Sequence, residues 1–214
     1  MTGNQEVAKK VAENLLQIKA VKLNINQPFT WASGLKSPIY CDNRIALSYP
    51  KIRTFIRQEM VKLISDEFGS PDVIAGVATS GIPYGILVAQ DLGLPFVYVR
   101  QAEKNHGLGN LIEGIVEDGQ SVIVIEDLVS TGGSSLKAVE ALRKAGCTIK
   151  GMVAIFSYDF ETANEAFKEA KIRLLTLTDY DTLIEQALVN NYISQKDIES
   201  LIAWRQQPEK WRVK

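Results

Sequence analysis

Five short, almost uninterrupted apolar runs constrain this chain more than any other feature. They are VIAGVAT (73–79), FVYVR (96–100), SVIVIED (121–127), TIKGMVAIF (148–156) and IRLLTLT (172–178). A strand with one wet face alternates apolar and polar residues. These runs barely alternate, so they read as strands buried on both faces. Helical stretches separate them. One runs to about Leu92 and stops at Gly93-Leu94-Pro95. Another, LKAVEALRKAG (136–146), closes at Gly146, and a third lies around 160–170. Strand and helix in turn predict an α/β fold: a central, mostly parallel sheet flanked by helices.

Ahead of this rhythm, QEVAKKVAENLLQIK (5–19) spaces Val7, Val11, Leu15 and Ile18 as an amphipathic helix. Residues 27–49, with Pro28, Gly34, Pro38 and several aromatics, read as a capping hairpin or loop, part of an appended lid or hood. A second helix is expected over 50–68, with Pro50 in its first turn and Ile52, Ile56, Met60 and Ile64 on one face. Two helices, about 181–190 and 195–206, close the chain. The 214 residues suit a single domain. Its parts are an N-terminal helix and hood (about 1–49), a core sheet (about 70–180) and C-terminal helices (about 181–214).

Lys plus Arg number 24 and Asp plus Glu 25, which argues against a protein that coats nucleic acid. No apolar run approaches the roughly 18 residues of a membrane span. The polar start, Met1 to Lys10, has no secretory hydrophobic region. Cys41 and Cys147 are far apart in sequence, so free thiols in a reducing cytoplasm are expected. With His106 the lone histidine, a zinc site built on several His or Cys ligands is improbable.

The chemistry concentrates in SVIVIEDLVSTGGSS (121–135). A buried strand is expected to end in Glu126 and Asp127, followed by a small-residue loop that feeds a helix. Ligands of open α/β sheets sit beyond the carboxyl ends of strands. Main-chain N–H groups at a helix start, with hydroxyls beside them, cradle phosphate. Ser130, Thr131, Gly132, Gly133 and Ser134 fit that role. The two acids repel phosphate but suit sugar hydroxyls or a metal ion, so the pair of features describes a phosphorylated pentose. Other nucleotide motifs fail. The segment 114–121 has Walker spacing, but Gln120 replaces its lysine. Gly107-Leu108-Gly109 starts a dinucleotide fingerprint whose third glycine is Ile112. RQAEKNHGLGNLIEG (100–114) carries Arg100, Lys104 and His106 on a glycine-containing loop, a plausible lid for a polyanion. FTWASGLKSPIYCDNR (29–44) by itself says only turn, aromatics and a lysine.

Together these segments resemble a known family. VIVIEDLVSTGGS (122–134) is similar to the signature of type I phosphoribosyltransferases, which bind 5-phosphoribosyl 1-diphosphate (PRPP). FTWASGLKSPIYCDNR resembles the N-terminal segment, and RQAEKNHGLGNLIEG the catalytic loop, of the orotate phosphoribosyltransferases. The resemblance spans roughly residues 5–205. It implies a Mg²⁺-dependent transfer from PRPP to orotate, giving orotidine 5′-monophosphate and diphosphate, the ring-to-nucleotide step of pyrimidine synthesis. It also implies roles. Glu126 and Asp127 would hold the ribose 2′- and 3′-hydroxyls. The PRPP-contacting stretch would run on through Leu128 and Val129 to residues 130–134 at the 5′-phosphate. Ser130 would also lie against orotate. Tyr40 and Cys41 would form the orotate-side wall, with the Lys36 segment nearby. Arg100, Lys104 and His106 would contact the diphosphate and, with Asp127, carry the catalysis. Mg²⁺ would ride on PRPP. The loop would reach into the site of the partner in a homodimer.

Some relatives carry lysine where Gln101, Ala32 and Ser80 stand, so positive charge around PRPP is reduced here. A purine phosphoribosyltransferase is disfavoured by the 29–44 segment. A PRPP-sensing regulator would need a DNA-binding domain, for which the chain shows no helix-turn-helix.

Overall fold

The computed structural model describes residues 4–31, 33–102 and 111–212. Helix α1 (Gln5–Gln17) is capped by Asn4, whose side chain accepts from the main-chain N–H groups of Glu6 and Val7. Four short strands follow: β1 (Val21–Leu23), β2 (Phe29–Thr30), β3 (Lys36–Ser37) and β4 (Ile39–Cys41). They pair β1 with β4 and β2 with β3, both antiparallel, so the hood is one small ribbon carrying another. A 3₁₀ turn (Asn43–Ser48) leads into α2 (Pro50–Phe68), with Pro50 in its first turn and Ile56, Met60 and Ile64 buried.

The main sheet comprises β5 (Val73–Val77), β6 (Phe96–Val99), β7 (Ile112–Glu113), β8 (Ser121–Val129), β9 (Thr148–Ser157) and β10 (Leu174–Asp179). Its order is β10-β9-β8-β5-β6-β7, parallel except for β7. Between these strands run α3 (Gly81–Leu92), α4 (Gly133–Lys144) and α5 (Glu161–Glu169), and α6 (Tyr180–Val189) and α7 (Ile198–Gln206) complete the chain. The five apolar runs are the five parallel strands, and β5 is buried at every position.

Three features differ from the sequence expectation. The third strand does not end at Asp127. It continues through Leu128 and Val129, because β9 pairs with it as far as Val129–Ser157. The segment after β6 contains β7, which pairs with Tyr98 and Val99 and is too short to show a periodicity. The hood begins at β1, six residues before the predicted start at 27, and consists of two ribbons rather than one hairpin.

The hood is pinned to the far end of the chain by aromatic packing. Trp31 lies 5.0 Å from Tyr158 and 5.6 Å from Trp204 between ring centroids. Trp204 Nε1 donates to the Lys36 carbonyl at 3.1 Å, and Trp31 Nε1 to that of Ile39 at 3.2 Å. Both indole N–H groups are thus satisfied where the rings are packed, as buried aromatics with polar handles require.

Candidate functional site

The site is built on the unequal lengths of three neighbouring strands. The ladder between β5 and β8 ends at Gly76–Ile125, whereas β8 and β9 continue together to Val129–Ser157. Glu126 and Asp127 therefore stand where β5 has already turned away towards α3, and one side of β8 is open. Main-chain groups left there need partners. Side chains supply them. Asn43 Nδ2 donates to the Asp127 carbonyl at 2.7 Å, and the Asp127 N–H donates to Glu126 Oε1 at 3.1 Å.

The two acids are not equivalent. Glu126 is 5% exposed, and its Oε2 accepts from Ser135 Oγ at 3.0 Å, in the first turn of α4. Asp127 is half-buried and faces a cleft. Burial pushes the Glu126 carboxyl well above its ordinary range, and the charge of Asp127 pushes it the same way. Burial also raises Asp127, against the opposing pull of its hydrogen bond with Glu126 and of the Arg44 charge. Of the pair, Glu126 is the more deeply buried and Asp127 is the more open to the cleft.

This cleft has a volume of about 460 Å³. The hood contributes Cys41, Asp42 and Arg44, the turn between β5 and α3 contributes Ala78, Thr79 and Ser80, and Gln101, Leu128 and Ser134 complete it around the acids. Arg44 is clamped by Asp42 through Nε at 2.7 Å and Nη2 at 2.9 Å. That bond holds the Asp42 carboxyl below its usual range. Gln101 Nε2 donates to the Ala78 carbonyl at 3.0 Å.

The small-residue loop lies against two cavities. Ser134 borders the acid cleft. Ser130 and Thr131 line a neighbouring pocket of about 790 Å³, with Trp31 and the 33–35 turn on one side and Arg205 to Lys210 on the other. Gly132 caps α4 with φ +80°, and a Cβ there would stand 2.8 Å from the Phe167 ring, so glycine is required on both counts. Gly133 opens the helix beside exposed Thr131 and Ser134, and no side chain caps the N–H groups of its first turn.

Other expected residues are placed less simply. Val129 is a core residue, 1% exposed, and offers no side chain to the cleft. Tyr40 is 38% exposed and packs on Phe29 at 5.7 Å, beside rather than in the acid cleft. Arg100 does not border that cleft. Its Nη1 lies 3.6 Å from Glu113 Oε1 on β7, and its N–H donates to the Leu111 carbonyl at 2.8 Å. Lys104, His106 and Ala32 lie outside the described residues. Sequence reasoning missed Asn43, Arg44, Asp42 and Ser135. The first three stand in the 29–44 segment that had been singled out, but nothing in it showed that they would meet β8.

The acid pair and the phosphate-type loop can bind a phosphorylated sugar, with the hood closing one wall. Comparison with known proteins agrees with that chemistry. The sequence profile of the phosphoribosyl transferase domain matches residues 48–177. The orotate phosphoribosyltransferase of Phocaeicola vulgatus is 57% identical over 205 residues, covering 96% of this chain and 97% of that one. Among solved structures, the orotate phosphoribosyltransferase of Aeropyrum pernix superposes with a TM-score of 0.75 at 27% identity, covering 86% of this chain and 99% of that one. That of Mycobacterium tuberculosis, solved in complex with PRPP, superposes with a TM-score of 0.63 at 25% identity, covering 83% and 98%.

Proposed function

Since this chain belongs to the phosphoribosyltransferase family, and relatives 54–57% identical to it over nearly the full chain are orotate phosphoribosyltransferases, we infer that it transfers the phosphoribosyl group of PRPP to orotate. The products are orotidine 5′-monophosphate and diphosphate. The observation that carries the reading at the level of the site is the open side of β8, where the half-buried Asp127 carboxyl faces a cleft walled by the hood and floored by the start of α4.

The residues divide the work. The first turn of α4, with Thr131, Gly133 and Ser134, receives the 5′-phosphate on N–H groups and hydroxyls. Asp127 accepts hydrogen bonds from the ribose hydroxyls and leaves a negative charge near a ring that becomes cationic as diphosphate departs. Glu126 braces the strand against Ser135 and approaches the same hydroxyls from within the sheet. The attacking nitrogen belongs to an anionic ring, so no strong protein base is called for. Positioning and electrostatic complementarity are sufficient. Cys41 and Tyr40 stand on the hood side, where the base would lie. Arg100, Lys104 and His106 supply the positive charge that the leaving diphosphate needs. Arg100 lies outside the lining of this chain's cleft, 3.6 Å from Glu113, and the loop that follows it is proposed to serve a partner's site in a homodimer.

Mg²⁺ is assigned to the substrate. Among the described residues no group of three or more His, Cys, Asp or Glu is placed to hold a metal ion. The cleft offers one half-buried carboxyl beside a buried one, a sparse oxygen donor set suited to a hydrated ion that arrives on the diphosphate. Such an ion would neutralise charge on the leaving group. Both cysteines are free thiols, and among the described residues no helix is long and apolar enough to cross a membrane; a cytoplasmic location is part of this proposal.

The test offers the purified protein PRPP and Mg²⁺ with orotate, hypoxanthine or adenine in turn. Orotidine monophosphate should form from orotate alone. Nucleotide formation from a purine without any from orotate would overturn the reading.

A further inference from the structure

One buried residue outside the acid pair and the phosphate loop is bonded to the hood, to β8 and to α3 at once. Asn43 is fully buried, at the start of the 3₁₀ turn that follows β4. Its Nδ2 donates to the Asp127 carbonyl at 2.7 Å, across 84 residues of sequence. Its Oδ1 accepts from the Cys41 thiol at 3.3 Å. Its own carbonyl accepts from the Tyr84 hydroxyl at 2.8 Å, on α3. The thiol remains a donor, because burial pushes its pKa well up and the neighbouring Asp127 and Asp42 push it further. A thiol donor on one side and a carbonyl acceptor on the other fix which way the amide points.

The position explains why an amide is needed. The β5–β8 ladder stops at Ile125, two residues short of Asp127. Asn43 supplies the donor that a longer β5 would have supplied, and does so from the hood. The strand that carries the ribose-binding acid and the strand that carries Cys41 are thereby tied through one planar group. We propose that Asn43 is the positioning residue that sets the spacing between the base-side wall and the ribose-binding strand. The proposal rests on the orotate phosphoribosyltransferase reading. Transfer needs the base nitrogen and the anomeric carbon at near-attack distance, and an error of about 1 Å in such a setting can cost on the order of a hundredfold in rate. On this reading PRPP is held chiefly by β8 and the loop after it and orotate chiefly from the hood side, with Ser130 touching both. Loosening the tie should therefore spare binary binding and slow the transfer.

Two variants test this. Asn43→Leu keeps the volume and removes both polar ends, and Tyr84→Phe removes only the hydroxyl that holds the Asn43 carbonyl. The kcat, the affinity for PRPP and for orotate measured separately by calorimetry, and the thermal midpoint are read for each beside the wild type. For Asn43→Leu, kcat should fall by about tenfold to a hundredfold while each binary affinity stays within roughly threefold. For Tyr84→Phe, kcat should fall by about threefold with the same sparing of affinities. A folded Asn43→Leu protein with wild-type kcat overturns the proposal. So does a loss of kcat matched by equal losses in both affinities, the pattern of a merely structural residue. If Asn43→Leu does not fold, Tyr84→Phe decides, and an unchanged kcat counts against the proposal. A wild type that turns over no orotate would sink the functional reading itself, and this proposal with it, and that failure is visible in the control alone.

Discussion

At the scale of the residue, the two adjacent acids are separated by environment rather than by chemistry. Asp127 opens on the cleft, so Asp127→Asn should raise the PRPP KM or lower kcat while leaving orotate binding unchanged. The loss should be about 1.5–3 kcal/mol for each charged hydrogen bond removed. Calorimetry with each substrate alone checks it, and equal losses for both would contradict the assignment. Glu126 leads to a pH prediction. Its carboxyl is raised in the folded protein by burial and by Asp127, so between the ordinary carboxylate range, about pH 4, and its folded value the native state binds more protons than the unfolded chain. The stability this proton contributes is fully present below the ordinary range and is lost as pH rises through the folded value. Thermal midpoints of the ligand-free protein followed upward from the mildly acidic range should therefore fall less steeply for Glu126→Gln than for the wild type. Parallel profiles would show that Glu126 is not the group responsible. None of this division could be read from the sequence, where Glu126 and Asp127 are simply neighbours with the same chemistry.

At the scale of the element, the close approach of α3 to β8 sets the mouth of the cleft. A Cβ on Gly81, the first residue of α3, would run into the Ile125 carbonyl, immediately before Glu126. Gly81→Ala should push the helix off the sheet at that point. The expected cost is about 1–3 kcal/mol of stability, with a fall in activity larger than the population of unfolded protein explains. Denaturant titration and kinetics on the same sample check this. The parallel strands and the long helices were legible because burial on both faces leaves its mark in composition. The α2 boundaries, Pro50–Phe68, are those the periodicity gives, since Pro50 starts the helix and Gly69, with φ +69°, ends it. Strands of two and three residues were not legible. β7 is held by pairing with β6, and the hood strands pair with each other and are fixed by the Trp31–Trp204 packing, which no local pattern encodes. The acids and the loop 130–134 were legible as a motif, but Asn43 was not, because its partner lies on another strand.

At the scale of the whole molecule, part of each site is proposed to lie on a second subunit. In a twofold dimer each chain donates one loop and receives one. Lys104→Ala spoils the donated loop and Asp127→Asn the receiving cleft, so each pure variant should be nearly inactive. When equal amounts exchange subunits, about half the dimers are mixed and each holds one intact site, so activity should return to roughly a quarter of wild type. Confirmed exchange without recovery would place the loop over its own chain. Beneath both possibilities lies the claim that one cleft under the hood performs the transfer. The most direct measurement is the stoichiometry of the reaction catalysed by the purified protein with orotate, PRPP and Mg²⁺. One diphosphate should be released for each orotate consumed, with orotidine 5′-monophosphate as the product. Diphosphate released without consumption of orotate, or no reaction at all, would contradict the account.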